Sequence, residues 1–272
     1  MAADRVVLVR MLDVERDLTY FRAGEIPVQA GVHCVVEHSG PRLGLVTEEV
    51  AAGMGLGTEL EPVLRVASDA DVESHRYNQA DAERALHSTR ATVARHNLPM
   101  HLVAADYTLD RKLLRIFFTA PHRVDFRELL RDLASQFGTR IELRQMGHRD
   151  ETKLRGGFGR CGVEVCCHRF LREPKPVPME YAYDQELFVS PERITGMCGR
   201  LMCCLAYERE AYLAELAQLP KLGSQVAVGD KQGKVISHSI FRHTVTVLTE
   251  DRDRIEIDAT EVTPLPSPKK SE

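Results

Sequence analysis

The sequence predicts an α+β protein: small β-barrels flanking a central αββαβ layer, with a cysteine-rich metal or cluster segment after the layer. Three observations lead there. Short β-branched runs broken by glycine turns lie near both ends of the chain. In the middle, apolar residues at helical spacing sit between a hairpin and a further strand. Six of the seven cysteines fall between Cys161 and Cys204.

Residues 1–68 form the first expected unit, a small barrel. Val6 to Met11 is a β-branched run, Leu18 to Phe21 is another, and Val32 to Glu37 leads into the turn Ser39-Gly40-Pro41 before Leu43 to Val46 returns. Cys34 falls within one of these strands, far from the other cysteines, and is expected to be a buried small hydrophobe.

Residues 69–145 form the central layer. A helix is expected over 71–97, stopped by Asn97 and Pro99, with His75, His87 and His96 on a solvated face. Leu102–Tyr107 and Leu113–Thr119 read as a hairpin. Phe126, Leu129, Leu130, Leu133 and Phe137 then define an amphipathic helix. Asp125 is its expected N-cap with Glu128 as capping-box partner, and Gly138 its C-terminal stop. Arg140 to Arg144 alternates as a strand, completing a helix on an antiparallel sheet.

Residues 146–219 carry the cysteines, a proline-interrupted connection with a short helical stretch near Met179–Asp184, and a charged helix from Leu205 to Leu219. Residues 220–264 return to strands of an SH3-like β unit, and the polar, proline-rich residues 265–272 are expected to be disordered.

Composition narrows the class. A hydrophobic content of 43% supports real cores, and a net charge of −4 with pI near 6.3 is ordinary for a soluble protein. No apolar run reaches the roughly 18 residues of a membrane span. The first residues lack a basic region leading into an apolar core, so a cytoplasmic location without membrane insertion is expected. In that reducing compartment clustered cysteines signify metal or redox chemistry rather than structural disulfides. Charge is uneven: residues 111–160 hold 12 Lys+Arg and 6 Asp+Glu, a net of +6, which leaves −10 on the rest.

The cysteines come as two copies of C-G-x-x-x-C-C. Cys161, Cys166 and Cys167 form the first; Cys198, Cys203 and Cys204 form the second, 37 residues later. On one regular helix Cys166 would stand about 140° from Cys161 and Cys167 about 120° to the other side, at about 100° per residue. No single helix aims all three at one metal. Gly162 and Gly199 permit a loop at each first cysteine, and each Cys-Cys pair can then begin a helix. Three readings of the six thiols stand: an iron–sulfur site drawing on both copies, a structural zinc site of four thiolates, or buried unligated residues. The C-x-x-C spacing typical of structural zinc is absent, which disfavours zinc. Arg155, Arg160, Arg169 and Arg200 flank the thiols and would offset the negative charge of a thiolate-bound cluster.

From Tyr107 to Tyr207 the chain resembles the YaaT/RicT family, bacterial proteins carrying the C-terminal domain of the yeast polymerase suppressor. The resemblance rests on Val124-Asp-Phe-Arg-Glu-Leu, Arg140-Ile-Glu-Leu-Arg-Gln, the first cysteine block, and Thr195-Gly-Met-Cys-Gly-Arg-Leu-Met-Cys-Cys-Leu. It implies a non-enzymatic regulatory subunit. It further implies assembly with two small helical partners, YlbF-like and YmcA-like, in a complex carrying [4Fe-4S] clusters. That complex directs an endoribonuclease Y-type enzyme to particular messenger RNAs and is tied to sporulation and biofilm regulation. The resemblance carries the cluster-ligand role to Cys161, Cys166, Cys167, Cys198, Cys203 and Cys204 as a set.

Other classes have weaker footing. No P-loop, G-x-S-x-G or H-E-x-x-H is present, so no enzyme is expected. The basic segment suggests a second function. Arg127, Arg131, Arg144 and Arg149, with Arg155, Arg160 and Arg200 beside the cysteines, are the candidate contacts to RNA phosphates or to an acidic partner. A structural-zinc, nucleic-acid-binding regulatory protein is therefore the alternative.

Overall fold

A computed structural model describes residues 5–50, 60–171, 173–187 and 189–265, so the tail expected to be disordered lies outside the described residues from 266 onward. The chain divides into two compact units, Met1–Arg155 and Gly156–Glu272.

The first unit begins with five strands: β1 (Val6–Met11), β2 (Leu18–Arg22), β3 (His33–Glu37), β4 (Pro41–Val50) and β5 (Val63–Val66). They form one antiparallel sheet in the order β2-β1-β4-β3-β5. The expected barrel is not closed by a ladder among the described residues: the end of β2 meets the approach to β5 through a single bridge, Arg22 to Pro62, with the Arg22 N–H donating to the Glu61 carbonyl at 2.9 Å. Val7, Val9, Phe21, Val28, Cys34 and Val36 fill its buried face. Cys34 has no exposed surface, and burial pushes its thiol up to about 11, as befits a small hydrophobe.

Helix α1 (Asp69–Arg95) starts where Ser68 caps the backbone N–H of Asp71 and the Asp71 carboxylate accepts from the Ser68 backbone, a capping box. Asn97, at φ 51°, follows its end. His75 departs from the expected solvated face. Its ring bonds the Leu12 backbone, and burial holds its pKa below the ordinary value, against the pull of Asp13 and Asp106. His96 is half-buried and meets Asp132 at 2.9 Å.

Strands β6 (His101–Tyr107) and β7 (Leu113–Thr119) form the expected hairpin, followed by α2 (Arg127–Phe137) and β8 (Arg140–Gln145). The sheet order is β6-β7-β8, and β8 runs parallel to β7 rather than antiparallel. The reason is the connection: a helix crossover returns the chain to the same end of the sheet, as a hairpin cannot. The expected cap also shifts. Phe126 takes the N-cap position without a side-chain bond, while Asp125 accepts from the Arg127 N–H at 3.2 Å. Gly138 ends α2 in the left-handed conformation, as expected. Leu114, Ile116, Phe118, Leu129 and Leu133 form the core between sheet and helices.

A buried charge network joins the two sheets of this unit. Arg115 donates to Asp106 and to Asp13, each at 2.8 Å, and Arg42 reaches Asp106 at 3.3 Å. Burial opposes the Arg115 charge, but Asp106 and Asp13 more than offset it and hold the guanidinium above its ordinary range. A cavity of about 500 Å³ beside this network is lined in part by Asp13, Arg42, His75, Asn78 and Asp106. Helix α3 (His148–Arg155) closes the unit.

The second unit contains the short helices α4 (Cys166–Arg169) and α5 (Glu180–Asp184), a 3₁₀ turn over Pro191–Ile194, and α6 (Cys204–Leu216). Strands β9 (Gln225–Val228), β10 (Lys231–Ser239), β11 (Thr244–Thr249), β12 (Arg254–Asp258) and β13 (Thr263–Pro264) then form a sheet ordered β12-β11-β10-β9-β13. Val226, Val235, Val245, Val247 and Val262 pack its core. Here too the expected SH3-like unit is an open sheet among the described residues.

Candidate metal centre

Each cysteine copy folds into the same loop. In the first, Phe158 bridges Glu164, the Gly159 N–H donates to the Val163 carbonyl at 2.8 Å, and the Gly162 N–H donates to the Gly159 carbonyl at 3.0 Å. In the second, Thr195 bridges Leu201, and Gly196 and Gly199 repeat those two bonds at 2.8 and 3.0 Å. Gly162 and Gly199 stand at φ 76° and 72°, left-handed positions where a Cβ would be strained. Cys161 and Cys198 therefore sit at the tips of two small hairpins. The Cys-Cys pairs open α4 and α6, the helix starts that the Cys-Cys spacing anticipated.

The loops face each other through equivalent residues. Cys166 lies near its counterpart Cys203, 37 residues on, close enough for that thiol to push the Cys166 pKa up. Phe170 and its counterpart Tyr207, again 37 residues on, meet edge to face at 5.2 Å between centroids. Contacts between a residue and its own equivalent are what a local twofold axis produces. Met197 also packs its thioether close to Gly157 at the entry to the first loop.

Electrostatics link four of the six thiols. Burial first, then Cys203 and Cys161, push the Cys166 thiol above its ordinary value. Burial, then Glu208, Cys166 and Cys203, push Cys204 up to about 11. Each neighbouring negative charge makes a further thiolate harder to form, and a cation among them would reverse that. Cys167 is buried, Cys161 is exposed and the others are intermediate. Among the described residues no three His, Cys, Asp or Glu side chains stand in position to hold one metal ion. The donor chemistry nevertheless suits a thiophilic centre: sulfurs of both copies lie near enough to one another for Cys161 and Cys203 to help push up the Cys166 thiol, and for Cys166 and Cys203 to help push up Cys204. Cys161, Cys166, Cys203 and Cys204 are the residues so linked.

The basic residues are more dispersed in role. Arg127 pairs with Asp125 at 2.6 Å, Arg144 with Glu15 at 2.7 Å and Arg155 with Glu151 at 3.2 Å. Arg149 is buried. Arg131, Arg160 and Arg200 are exposed. The surplus positive charge of residues 111–160 is thus partly neutralised within the first unit, notably by carboxylates from residues 13–17, outside the basic segment. The glycine run from Gly156 to Gly159 ahead of the first copy signals close backbone approach, but sequence reasoning missed its counterpart Gly196, which holds the second hairpin, and Phe170 and Tyr207, which face each other. The signal was present: extending the 37-residue comparison by a few positions on each side matches glycine with glycine and aromatic with aromatic.

Fold and site together define a two-unit α+β protein with an internally duplicated cysteine loop. Residues 61–146 match the PSP1 C-terminal conserved region, and residues 176–219 match the third domain of PSP1-like proteins. The first match spans β5 to β8; the second contains only the second cysteine copy. The stage 0 sporulation protein YaaT of Bacillus subtilis is 43% identical over 196 residues, covering 72% of this chain and 71% of that protein. An uncharacterized protein of Schizosaccharomyces pombe is 38% identical over 79 residues, 29% of this chain and 10% of that one. No solved structure matches the chain. The chain belongs to the YaaT/PSP1 family.

Proposed function

We propose that this protein is a cytoplasmic regulatory subunit, not an enzyme, that holds an iron–sulfur cluster with thiolates from both cysteine loops. The observation that carries the reading is the approach of equivalent residues from the two loops, Phe170 to Tyr207 and Cys166 to Cys203. A twofold site draws ligands in equivalent pairs, and two pairs give the four thiolates a [4Fe-4S] cluster takes. Two of the three equivalent pairs, Cys161 with Cys198, Cys166 with Cys203 and Cys167 with Cys204, make such a set. A bound cluster would supply a redox- and oxygen-sensitive centre. The chain's own part is to fix two hairpins so that their thiols converge, and to keep the exposed Arg160 and Arg200 in the loops.

The regulatory role is read from kinship to a protein named for sporulation. In this reading the chain assembles with YlbF-like and YmcA-like helical proteins and directs an endoribonuclease Y-type enzyme in mRNA maturation. Among the described residues no helix is long and apolar enough to cross a membrane. The test is anaerobic purification with a visible spectrum and iron, sulfide and zinc analysis, followed by co-purification with the two partners. Iron and sulfide in equal amounts are expected. Stoichiometric zinc without iron would replace the cluster with a structural-zinc site and favour the nucleic-acid-binding alternative.

A further inference from the structure

We propose that the cavity of the first unit, lined by α1, β4, β6 and the β1–β2 loop, is a binding site for a small neutral amide or lactam. The inference is independent of the cluster reading, since no residue of 156–265 takes part. The cavity holds about 500 Å³, within the range of about 300–1,000 Å³ usual for small-molecule sites. Leu12, Val14, Leu43, Leu86 and Val103 give it apolar walls. Arg16 of the β1–β2 loop and Gln79 and Glu83 of α1 are exposed members of its lining, which places them at its mouth.

Hydrogen bonding among the buried lining residues selects the ligand. Asp106 is filled: one carboxylate oxygen accepts from Arg42 Nη1 at 3.3 Å and Arg115 Nε at 2.8 Å, the other from the Val14 N–H at 3.2 Å and Arg115 Nη2 at 2.8 Å. Asn78 is filled as well, donating to the Thr108 and Leu109 carbonyls and accepting from Arg111. Two atoms have capacity left. Arg42 is 3% exposed and its Nε donates to the His38 carbonyl at 2.8 Å, but its Nη2 is buried without a hydrogen-bond partner among the described residues. Asp13 Oδ1 accepts from the Arg16 N–H at 3.2 Å, and a carboxylate oxygen accommodates about two donors. The two groups already adjoin, with Arg42 Nη1 3.6 Å from Asp13 Oδ2. An amide or lactam carries a carbonyl acceptor and an N–H donor on neighbouring atoms. Its oxygen accepts from Arg42 Nη2 and its N–H donates to Asp13, while its hydrocarbon part lies against the apolar walls. Charge argues against an ion in that place. Arg42 and Arg115 balance Asp13 and Asp106, and Arg144 balances Glu15 beside them. His75 in the lining is kept below its ordinary pKa by burial and is uncharged at pH 7. A carboxylate would bring an unmatched negative charge against Asp13 and Asp106, and a cation would meet two guanidiniums.

The experiment titrates the full chain at pH 7 with naphthamide and, separately, with naphthoate, which share a shape and differ in charge. Binding is read from backbone amide chemical shifts. Naphthamide should give saturable shifts at residues 12–16, 42–43, 75–83 and 103–107, and naphthoate should bind about tenfold more weakly. Arg42→Lys keeps the charge and removes Nη2, so it should weaken naphthamide by a similar factor while the spectrum of residues 156–265 is kept. Should that variant fail to fold, Gln79→Trp takes its place: the position is exposed, and the larger side chain narrows the mouth and should weaken naphthamide binding. Naphthoate binding as tightly as naphthamide, saturable shifts centred elsewhere, or an unchanged affinity in the folded variant would each overturn the proposal. So would the lack of any saturable shift at these residues up to the solubility limit of naphthamide, which would leave the cavity to water.

Discussion

Residues 5–155 bury Phe21, Phe117, Phe118, Leu114 and Leu129 completely, whereas in residues 156–219 the buried apolar cluster is Ala182, Ile194 and Leu205. The first region has large side chains, two sheets and a buried charge network of Arg42, Arg115, Asp13 and Asp106. The second has short helices of four and five residues, loops rich in proline and glycine, and thiols at its centre. Small segments with thin apolar cores are commonly held by a metal or by cross-links. On the proposed reading the difference teaches where each region's stability would reside: packing in one, ligands to a shared centre in the other.

The largest expected effect follows from removing that centre. Structural metals contribute on the order of 10 kcal/mol to small thiolate domains. Chelation under reducing conditions should therefore release amide protection across residues 156–219 and leave residues 5–155 unchanged, as read by hydrogen exchange. Equal loss in both regions would end the contrast. The second effect lies in the other region. Arg115→Ala leaves the buried Asp13 and Asp106 with Arg42 as their one remaining guanidinium and should cost about 3 kcal/mol in the unfolding of residues 5–155, with metal content unaltered. A loss of metal with that variant would show that the regions do not hold themselves separately.

A smaller effect concerns the start of α1. Ser68→Ala removes a side-chain cap and should cost about 1 kcal/mol by denaturant unfolding. The smallest is a pH slope. His75 is held below its ordinary value near 6.5, mainly by burial. As pH falls through that value the unfolded chain takes up a proton that the folded chain refuses, so stability is full above it and declines below. His33, Asp13, Asp106 and the Leu12 backbone surround the ring, and His75→Asn should flatten the slope between pH 7 and 5. An unchanged slope would assign the acid sensitivity to other groups.

Much of the first region was legible in the sequence because its signals are local. A β-branched run marked β1, alternation marked β8, helical spacing marked α2, and Gly138 marked its end. What escaped was decided by tertiary pairing. Whether β2 and β5 close a barrel, or β8 runs parallel to β7, depends on which edges meet, and no residue pattern within a strand records that. Helix α3 went unseen because His148 to Arg155 is almost wholly polar and offers no apolar stripe. His75 lies on a helix face whose neighbours come from residues 12 and 13, more than 60 positions away. In the second region the repeat was plain, but its facing geometry was not. The linker between copies holds prolines at 174, 176, 178 and 191, which fix no direction that sequence alone reveals.

The claim that the two loops build one shared centre is tested most directly by iron, sulfide and zinc per chain, measured anaerobically on the wild type and on Cys161→Ser/Cys166→Ser. The account predicts about four irons and four sulfides in the wild type and none in the variant, because the second loop alone has too few converging thiols. A variant that kept half or more of the metal would contradict it, since each loop would then be binding by itself.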